Sequence, residues 1–347
     1  MTFLRQAWYA AAWPDEVVPG TPLARTIIGE PLLLWRGTSG TLSALADKCP
    51  HRSAPLSLGH QQGEGLRCNY HGLVFDTSGA CIENPHGPVL SSLCARSYPL
   101  VEKYRLLWIW MGDPEGADPE KIPDYTHIDT PPDTARSKGY MHVAASHKLL
   151  EDNILDISHA DFMHPNVLGG GSSTRAKQRV EEQPDWLMVE WRPRDEVPLP
   201  VFAPLLGDPG TRADMWTEVF WYPNGAMLMH AGATVAGRPE EEGLDTWNAH
   251  IMTPETEFTT HYFYCNTREY MVDDAELNAG VAMGFKYTFE HEDRPMIEGQ
   301  QARIGRADLF DTHPHLLPID GASTRARRIF DRLLAEEIAA TTGREYA

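Results

Sequence analysis

Two short arms of the sequence each carry one cysteine and one histidine. The stretch "KCPHRSAPLSLGHQQGEGLRCNYHG" at residues 48–72 holds Cys49 with His51 and then Cys68 with His71. Thiolates and imidazoles are the side chains that most readily bind zinc and the iron of iron–sulfur clusters. Two arms this similar, both beside glycine or proline turns, are not expected by chance or from core packing alone. The four residues therefore predict a metal site.

The order of these ligands distinguishes two kinds of site. A structural zinc site of the Cys₂His₂ type usually has its two cysteines together and its two histidines together. A Rieske [2Fe–2S] cluster needs two cysteines on one iron and two histidines on the other. Because each arm here offers one cysteine and one histidine, the pattern favours a Rieske cluster, and zinc is the alternative.

A second set of polar residues lies in "NILDISHADFMHP" at residues 153–165. The apolar spacing of this region predicts a helix, on which Asn153, Asp156 and His159 would share one face. His164 is off that face. Pro165 disfavours the α conformation at the residue before it, however, so the chain can turn His164 back toward His159.

Two histidines and one carboxylate form the facial triad of non-haem iron(II) oxygenases. His159 and His164 alone would be ordinary polar helix residues, but their position downstream of a predicted Rieske site favours iron. The carboxylate must come from elsewhere in the chain. The 49 acidic residues offer no basis for choosing it from residue chemistry alone.

The chain resembles the aromatic Rieske oxygenases of the O-demethylase type, a group with the vanillate and dicamba demethylases and the toluenesulfonate methyl-monooxygenase. "CPHR" and "CNYHG", with Arg52 and Gly72 at their flanks, look like the Rieske signature. "QAWYAAAW" near the start, residues 153–164 and "IMTPETE" at residues 251–257 also have counterparts in the group. The resemblance therefore covers the whole chain.

The resemblance implies a third iron ligand late in the chain. In the family this ligand is an aspartate on a helix, and "FEHEDRPMIEGQQ" at residues 289–301 matches its place. Asp293 matches the residue, with Glu290 and Glu292 as rival carboxylates.

The resemblance also implies roles for Asp156 and Asn153. In the family the acid at Asp156 bridges an iron-ligating histidine, here His159, to the Rieske histidine of a neighbouring subunit, here His71. A carboxylate can accept an N–H from two imidazoles, which supports this role. It implies a homotrimer with electron transfer between subunits. Asn153 is then expected to donate a hydrogen bond near the iron without binding it.

The activity implied by the resemblance is that of a terminal oxygenase. Electrons would pass from NAD(P)H through a flavin-dependent reductase, with or without a ferredoxin. With O₂, they would drive hydroxylation of a methoxy or methyl group on a small aromatic substrate, and a methoxy group would release formaldehyde. The alternatives are an aromatic ring hydroxylase or dioxygenase, and a non-catalytic Rieske electron-transfer protein.

Polar and methionine side chains on the later strands are candidates for the substrate pocket. The candidates are His250, Asn248, Met229 and His230. Strand alternation places His250 and Asn248 on one side and turns His230 away from Met229. A histidine and an asparagine on one face could hold a carboxylate or a phenol, although an ordinary buried hydrogen-bonded pair is an equal alternative.

The elements that position these residues suggest an α+β protein of two domains. In the first third, branched runs joined at Thr38, Ser39 and Gly40, and again at Thr77, Ser78 and Gly79, predict short antiparallel strands. A proline-rich polar segment then suggests a boundary. We expect an all-β Rieske domain at 1–115. A mononuclear iron domain at 116–347 would follow, and the resemblance implies a helix-grip (START-like) fold with a curved antiparallel sheet.

Composition limits the partners and the compartment. The formal charge of −19 disfavours nucleic acid, which needs a basic surface. The apolar runs are too short for a membrane span, and the start lacks the features of a signal peptide. We expect a soluble, cytoplasmic protein. Cys81, Cys94 and Cys265 have no predicted role beyond that of small hydrophobic residues.

Overall fold

The computed structural model describes residues 2–345 and divides them into two compact units. The first unit contains Phe3–Pro123 and Thr253–Thr256, and the second contains residues 124–252 and 257–345. The domain boundary after residue 115 stays a prediction. In the structure, the chain passes from the first unit to the second between residues 123 and 124.

The first unit is built from three antiparallel sheets. Its strands are β1 Trp8–Ala12, β2 Leu23–Ile27, β3 Glu30–Arg36, β4 Leu42–Ala46, β5 His60–Gln62, β6 Gly65–Arg67, β7 Val74–Phe75, β8 Cys81–Glu83, β9 Leu100–Lys103 and β10 Leu106–Trp110. They pair in the orders β1-β10-β9, β2-β3-β4 and β5-β6-β7-β8. The prediction of a small β module is confirmed.

The turns of this unit agree with the sequence at two places and differ at a third. Gly40 ends the turn between β3 and β4, and Gly79 ends the turn between β7 and β8, both with positive φ. The run before Gly40 is two strands, however, because the chain turns at Ile28 and Gly29. Ile28 has a φ of 46°, which is costly for a branched residue. Its N–H donates to the Pro254 carbonyl at 2.8 Å, and this bond helps to hold the turn.

The second unit combines one large sheet with helices, as predicted. Its strands are β11 Arg136–Val143, β12 Gln178–Glu182, β13 Leu187–Trp191, β14 Ala213–Trp221, β15 Ala226–Val235, β16 Leu244–Thr256 and β17 Thr259–Thr267. They form a seven-stranded sheet in the order β11-β17-β16-β15-β14-β13-β12, and the last four residues of β16 group with the first unit. A sheet of this size offers one face to the helices and to a site between them.

The helices of this unit flank the predicted iron residues, which lie at helix ends and in the turns between helices. They are α1 Thr126–Asp129, α2 His147–Leu155, α3 Ala160–Met163, α4 Ser172–Arg175, α5 Ala275–Tyr287, α6 Arg294–Ile304 and α7 Gly321–Glu345. A π-helical turn, Thr288–Asp293, joins α5 to α6. α2 packs against α6, α7 and β14. No helix in residues 2–345 is long and apolar enough to cross a membrane.

The predicted single helix through His159 is wrong. α2 ends at Leu155, and Asp156 is extended, with φ −130° and ψ 97°. The Asp156 carboxylate accepts the Ser158 N–H at 2.9 Å and so caps a short 3₁₀ turn, Ile157–His159. Aspartate competes for backbone N–H groups in this way, which favours caps over helix interiors. The predicted turn at His164 is confirmed, since α3 ends there with φ −120°.

Candidate metal centres

The two cysteine–histidine arms are loops of the same backbone geometry. In the first loop, the Cys49 N–H donates to Ala54 and the Cys49 carbonyl accepts the Ser53 N–H, both at 2.8 Å. In the second, Cys68 makes the matching bonds with Leu73 and Gly72, at 2.8 and 2.9 Å. Ser53 and Gly72 share a left-handed φ of 56° and 76°. Ser53 is a non-glycine residue in this conformation, which marks a constrained and functional turn.

The four side chains of these loops suit a [2Fe–2S] cluster. Cys49 and Cys68 are buried, whereas His51 is exposed and His71 is partly exposed. The two imidazole rings lie edge to face with centroids 4.5 Å apart. Buried thiols on one side and more exposed histidines on the other match the Cys₂ and His₂ irons of a Rieske cluster. Backbone N–H groups of His51 and Arg52 also point at the Cys49 sulfur.

A second possible metal site brings together His159, His164 and Asp293. One ligand atom from each lies within 4.8 Å of the others. His164 Nε2 is 3.1 Å from Asp293 Oδ1, and His159 Nε2 is 3.7 Å from the same oxygen. His164 and Asp293 are only 2% and 3% exposed. Two imidazoles and a carboxylate facing one point form the donor set of a non-haem iron(II) site.

Hydrogen bonds to the other ring nitrogen orient both histidines. His159 Nδ1 lies within hydrogen-bond distance of the Asp156 backbone carbonyl, and His164 Nδ1 is 2.7 Å from Glu292 Oε2. Each ring therefore presents Nε2 to Asp293. The Asp156 carboxylate does not accept from the His159 ring in this chain; it binds the N–H and hydroxyl of Ser158 instead. Asn153 Nδ2 donates to Asp293 Oδ1 at 3.4 Å, which agrees with the role expected for it.

The structure separates the three rival carboxylates. Only Asp293 joins His159 and His164 in a possible metal cluster among the described residues. Glu292 is on the far nitrogen of His164, so it is a hydrogen-bond acceptor there. Glu290 has no contact with either ring among the described residues.

One face of the sheet carries most of the predicted pocket residues. Met229 is directly opposite Asn248 across the β15–β16 pair, and Met227 is directly opposite His250, so the four side chains share a face. Asn248 accepts a hydrogen bond from Asn266 at 2.7 Å. The pairing places His250 and Asn248 together, as strand alternation predicted.

His250 is the polar group on this face with capacity left for a ligand. Its Nδ1 is 2.6 Å from the Tyr262 hydroxyl, whereas its buried Nε2 has no hydrogen-bond partner among the described residues. Its ring meets Phe289 edge to face at 5.7 Å. Burial lowers the pKa of His250 to about 4, although the negative charge of Asp293 acts in the opposite direction and raises it. Tyr262 and Phe289 were not among the predicted pocket residues, although alternation along β17 could have placed Tyr262 beside His250.

His230 does not belong with the other pocket candidates. It lies on the opposite face of the sheet, stacked on Trp247 at 4.2 Å. Its Nε2 is 2.8 Å from Asp245 Oδ2, and its Nδ1 is 3.2 Å from Glu218 Oε2. Burial alone would lower the pKa of His230, but the hydrogen bonds to Asp245 and Glu218 outweigh it and raise the pKa to about 9. Two carboxylates therefore hold His230 on the face opposite the other three candidates, and the structure does not bring it together with them.

The raised pKa of His230 makes its contribution to stability depend on pH. Removing it as His230→Gln is expected to lower the free energy of unfolding by about 2–3 kcal/mol below about pH 6.5, where the histidine is protonated in both states. The loss should shrink as pH rises through about 9 and the folded histidine loses its proton. Chemical unfolding followed by circular dichroism on either side of this range measures the difference. Exposed His315→Gln is the control, and an equal loss at both pH values would contradict the prediction.

Comparison with known families matches both units of the chain. Residues 7–99 match the Rieske [2Fe-2S] domain, and residues 143–336 match the vanillate O-demethylase oxygenase C-terminal domain. The family resemblance found in the motifs is thereby confirmed, and the zinc alternative is set aside. The second match also sets aside a free-standing Rieske electron carrier.

Relatives match along almost the whole chain. The iron-sulfur subunit of the toluene-4-sulfonate monooxygenase system of Comamonas testosteroni is 37% identical, over 96% of this chain and 98% of its own. The oxygenase component of dicamba O-demethylase from Stenotrophomonas maltophilia is 36% identical over 96% and 98%. A crystal structure of dicamba monooxygenase with non-haem iron and dicamba has a TM-score of 0.84 at 36% identity, over 98% of this chain and 100% of that one. The chain therefore belongs to the Rieske non-haem iron oxygenases of the vanillate O-demethylase type, which carry a [2Fe–2S] cluster and a mononuclear iron.

Proposed function

We propose that this chain is the terminal oxygenase component of a system that hydroxylates a methoxy or methyl carbon of a small aromatic compound. The observation that carries the proposal is the cluster of His159, His164 and Asp293 in a chain that also holds the two cysteine–histidine loops. An electron carrier needs only the loops, whereas a second metal site is where electrons are used. The names of the relatives, monooxygenase and O-demethylase, support this class of reaction.

Two sets of side chains would hold the metals. The [2Fe–2S] cluster would be bound by the four cysteine and histidine side chains of the two loops, Cys49, His51, Cys68 and His71. The mononuclear iron(II) would be bound by the three side chains of the second cluster, His159, His164 and Asp293. Asn153 would hold Asp293 in place without binding the metal.

The protein's own contribution is positioning and the exclusion of water. When bound at His159, His164 and Asp293, iron(II) would supply the activation of O₂, for which two electrons from the reductase, two protons and the substrate C–H bond would yield a hydroxylated carbon and one water. The sheet face with Met229 and His250 would hold the reacting carbon beside the metal site. A hydroxylated methoxy group is a hemiacetal, which breaks down to a phenol and formaldehyde. A hydroxylated aryl methyl group remains as a benzyl alcohol.

His250 would fix the orientation of the substrate. The Tyr262 hydroxyl keeps its proton because burial raises its pKa well above 10, so it can donate to His250 Nδ1. His250 is then neutral with its proton on Nε2, where it can donate to an oxygen of the substrate. A site that has an unused buried donor rejects substrates that lack the matching acceptor. A carboxylate, sulfonate or phenol beside the reacting group would supply that acceptor.

Removing the His250 donor should weaken substrate binding more than turnover. His250→Leu is expected to raise KM by about 10-fold or more, because one buried hydrogen bond to a charged group contributes about 1.5–3 kcal/mol. His250→Gln keeps a donor and should lose less. Steady-state kinetics on one substrate measure both constants. His230→Gln, on the other face of the sheet, is the control, and an unchanged KM for His250→Leu would contradict the prediction.

Electrons would reach this chain from a separate flavin-dependent reductase, directly or through a ferredoxin. We further propose a homotrimer in which His71 of one subunit lies beside Asp156 of the next. The Asp156 carboxylate oxygens already accept from Ser158, but each can accept a second hydrogen bond. Asp156 would then join the two histidines, His159 through its backbone carbonyl and His71 through its carboxylate, and carry the electron path between subunits.

A substrate screen tests the proposed function. The purified protein would be supplied with NADH, a surrogate reductase and a panel of methoxylated and methylated aromatic acids and sulfonates. Oxygen uptake and formaldehyde would be read together. Formaldehyde equal to oxygen used supports O-demethylation, and a benzyl alcohol supports methyl hydroxylation. A ring diol would overturn the proposal in favour of ring hydroxylation.

A further inference from the structure

The π-helical turn Thr288–Asp293 brings two adjacent acidic residues to one imidazole ring. Asp293 Oδ1 is 3.1 Å from His164 Nε2, and Glu292 Oε2 is 2.7 Å from His164 Nδ1. Side chains of adjacent residues on a helical turn point in different directions, so Glu292 and Asp293 can reach opposite edges of one ring. π-helical turns are rare and frequently occur at functional sites.

The two acids differ in the space around them. The Asp293 side chain is only 4% exposed, whereas the Glu292 side chain is 23% exposed. Asp293 also lies beside His159 and Asn153. Within the part of the chain that the structure describes, the Glu292 side chain makes a hydrogen bond only with His164. Glu292 therefore has its charge directed at a single N–H.

That contact determines which nitrogen of His164 is free. A neutral imidazole carries one proton, and a carboxylate at Nδ1 holds the proton there. The lone pair is then on Nε2, which faces Asp293. His159 is oriented differently, because the acceptor at its Nδ1 is the neutral backbone carbonyl of Asp156. Hydrogen bonds to charged acceptors are shorter and stronger than those to neutral ones.

We propose that Glu292 is a positioning residue for the mononuclear metal. It holds the His164 ring and its tautomer so that Nε2 is presented to the metal, and its charge makes that nitrogen a stronger donor. The inference rests on the proposed function only in taking His159, His164 and Asp293 as the metal ligands. It gives the rival carboxylate of the sequence a defined role that is not ligation.

The affinity of the protein for iron(II), measured without substrate, tests this role. The full chain would be freed of mononuclear iron with a chelator, with its cluster retained, and titrated anaerobically with Fe(II) against a fluorescent competitor. Glu292→Leu is expected to weaken binding by about 10- to 100-fold, the cost typical of losing an outer hydrogen-bond partner of a metal ligand. Glu292→Gln keeps an acceptor of the same shape and should show a smaller loss.

Glu290→Gln is the matched control, because it removes one charge from the same turn without a contact to His164. It should change the affinity by less than about two-fold, since a partly exposed charge at a distance is screened. Glu292→Leu binding Fe(II) as tightly as the control would overturn the inference. If Glu292→Leu fails to fold, Glu292→Gln decides, and equal affinity with the control would also overturn it. Failure of the unaltered chain to bind Fe(II) would instead refute the proposed function.

Discussion

Asp293→Ala is expected to remove the mononuclear iron and abolish hydroxylation while the [2Fe–2S] cluster remains. Asp293 is the anionic member of the predicted site, 3% exposed and within reach of both histidine Nε2 atoms. Without it, two neutral imidazoles face the metal, and carboxylate is the ligand that completes the iron(II) triad. We expect a loss of iron affinity larger than the roughly 100-fold that the loss of an outer hydrogen-bond partner can cost.

Metal analysis and turnover together check this expectation. The iron content should fall by one atom per chain, acid-labile sulfide should stay constant, and the visible spectrum of the cluster should be unchanged. Glu290→Ala removes an acid from the same π-helical turn and should retain its iron. Mononuclear iron retained at Asp293→Ala would mean that another carboxylate binds it.

Asp156→Asn should separate metal binding from electron transfer. Asparagine caps helical turns nearly as well as aspartate, so the contact with the Ser158 N–H should survive and the fold with it. The backbone carbonyl that orients His159 is also unaffected. The amide loses the charge and one acceptor oxygen, however, so it should hold the neighbouring subunit's His71 less well than a carboxylate would. We expect both metals to be present and turnover to fall by about 10- to 100-fold.

The rate of cluster oxidation measures this loss directly. The reduced protein would be mixed with substrate and O₂, and the cluster absorbance followed in a stopped-flow instrument. Slow oxidation in Asp156→Asn, with iron content unchanged, supports the role of Asp156 in the electron path. Oxidation at the rate of the unaltered protein would show that Asp156 only caps the turn at Ser158.

The subunit arrangement can be checked with two inactive variants in one oligomer. Cys68→Ser removes the cluster and Asp293→Ala removes the mononuclear iron, so each variant alone should be inactive. Mixed oligomers formed by co-expression should recover part of the activity if electrons cross between subunits. No recovery would place the electron path within one chain.

Most of the first metal site could be predicted from the sequence because its geometry is local. Cys49, His51, Cys68 and His71 fall in two short loops, and the turn residues Ser53 and Gly72 give both loops the same backbone bonds. Residue types and spacing were therefore enough to favour the cluster over zinc.

The second metal site was only half predictable from residue chemistry. The turn that brings His164 to His159 follows from Pro165, because that residue restricts the backbone before it. The break at Asp156 was not foreseen, because the apolar spacing continues through a residue that the fold uses as a cap. The resemblance, not the spacing, pointed to Asp293.

The sequence by itself determined the β character of the first unit, the two cysteine–histidine loops and the paired histidines, since each depends on residues close together in the chain. Only the tertiary structure brought Asp293 to those histidines, placed Glu292 at the far nitrogen of His164 and gave His230 its two carboxylate partners. Asp293 is far from His164 in sequence, and strand pairing sets the neighbours of His230. Such contacts depend on how distant segments pack, which local propensity and spacing do not encode.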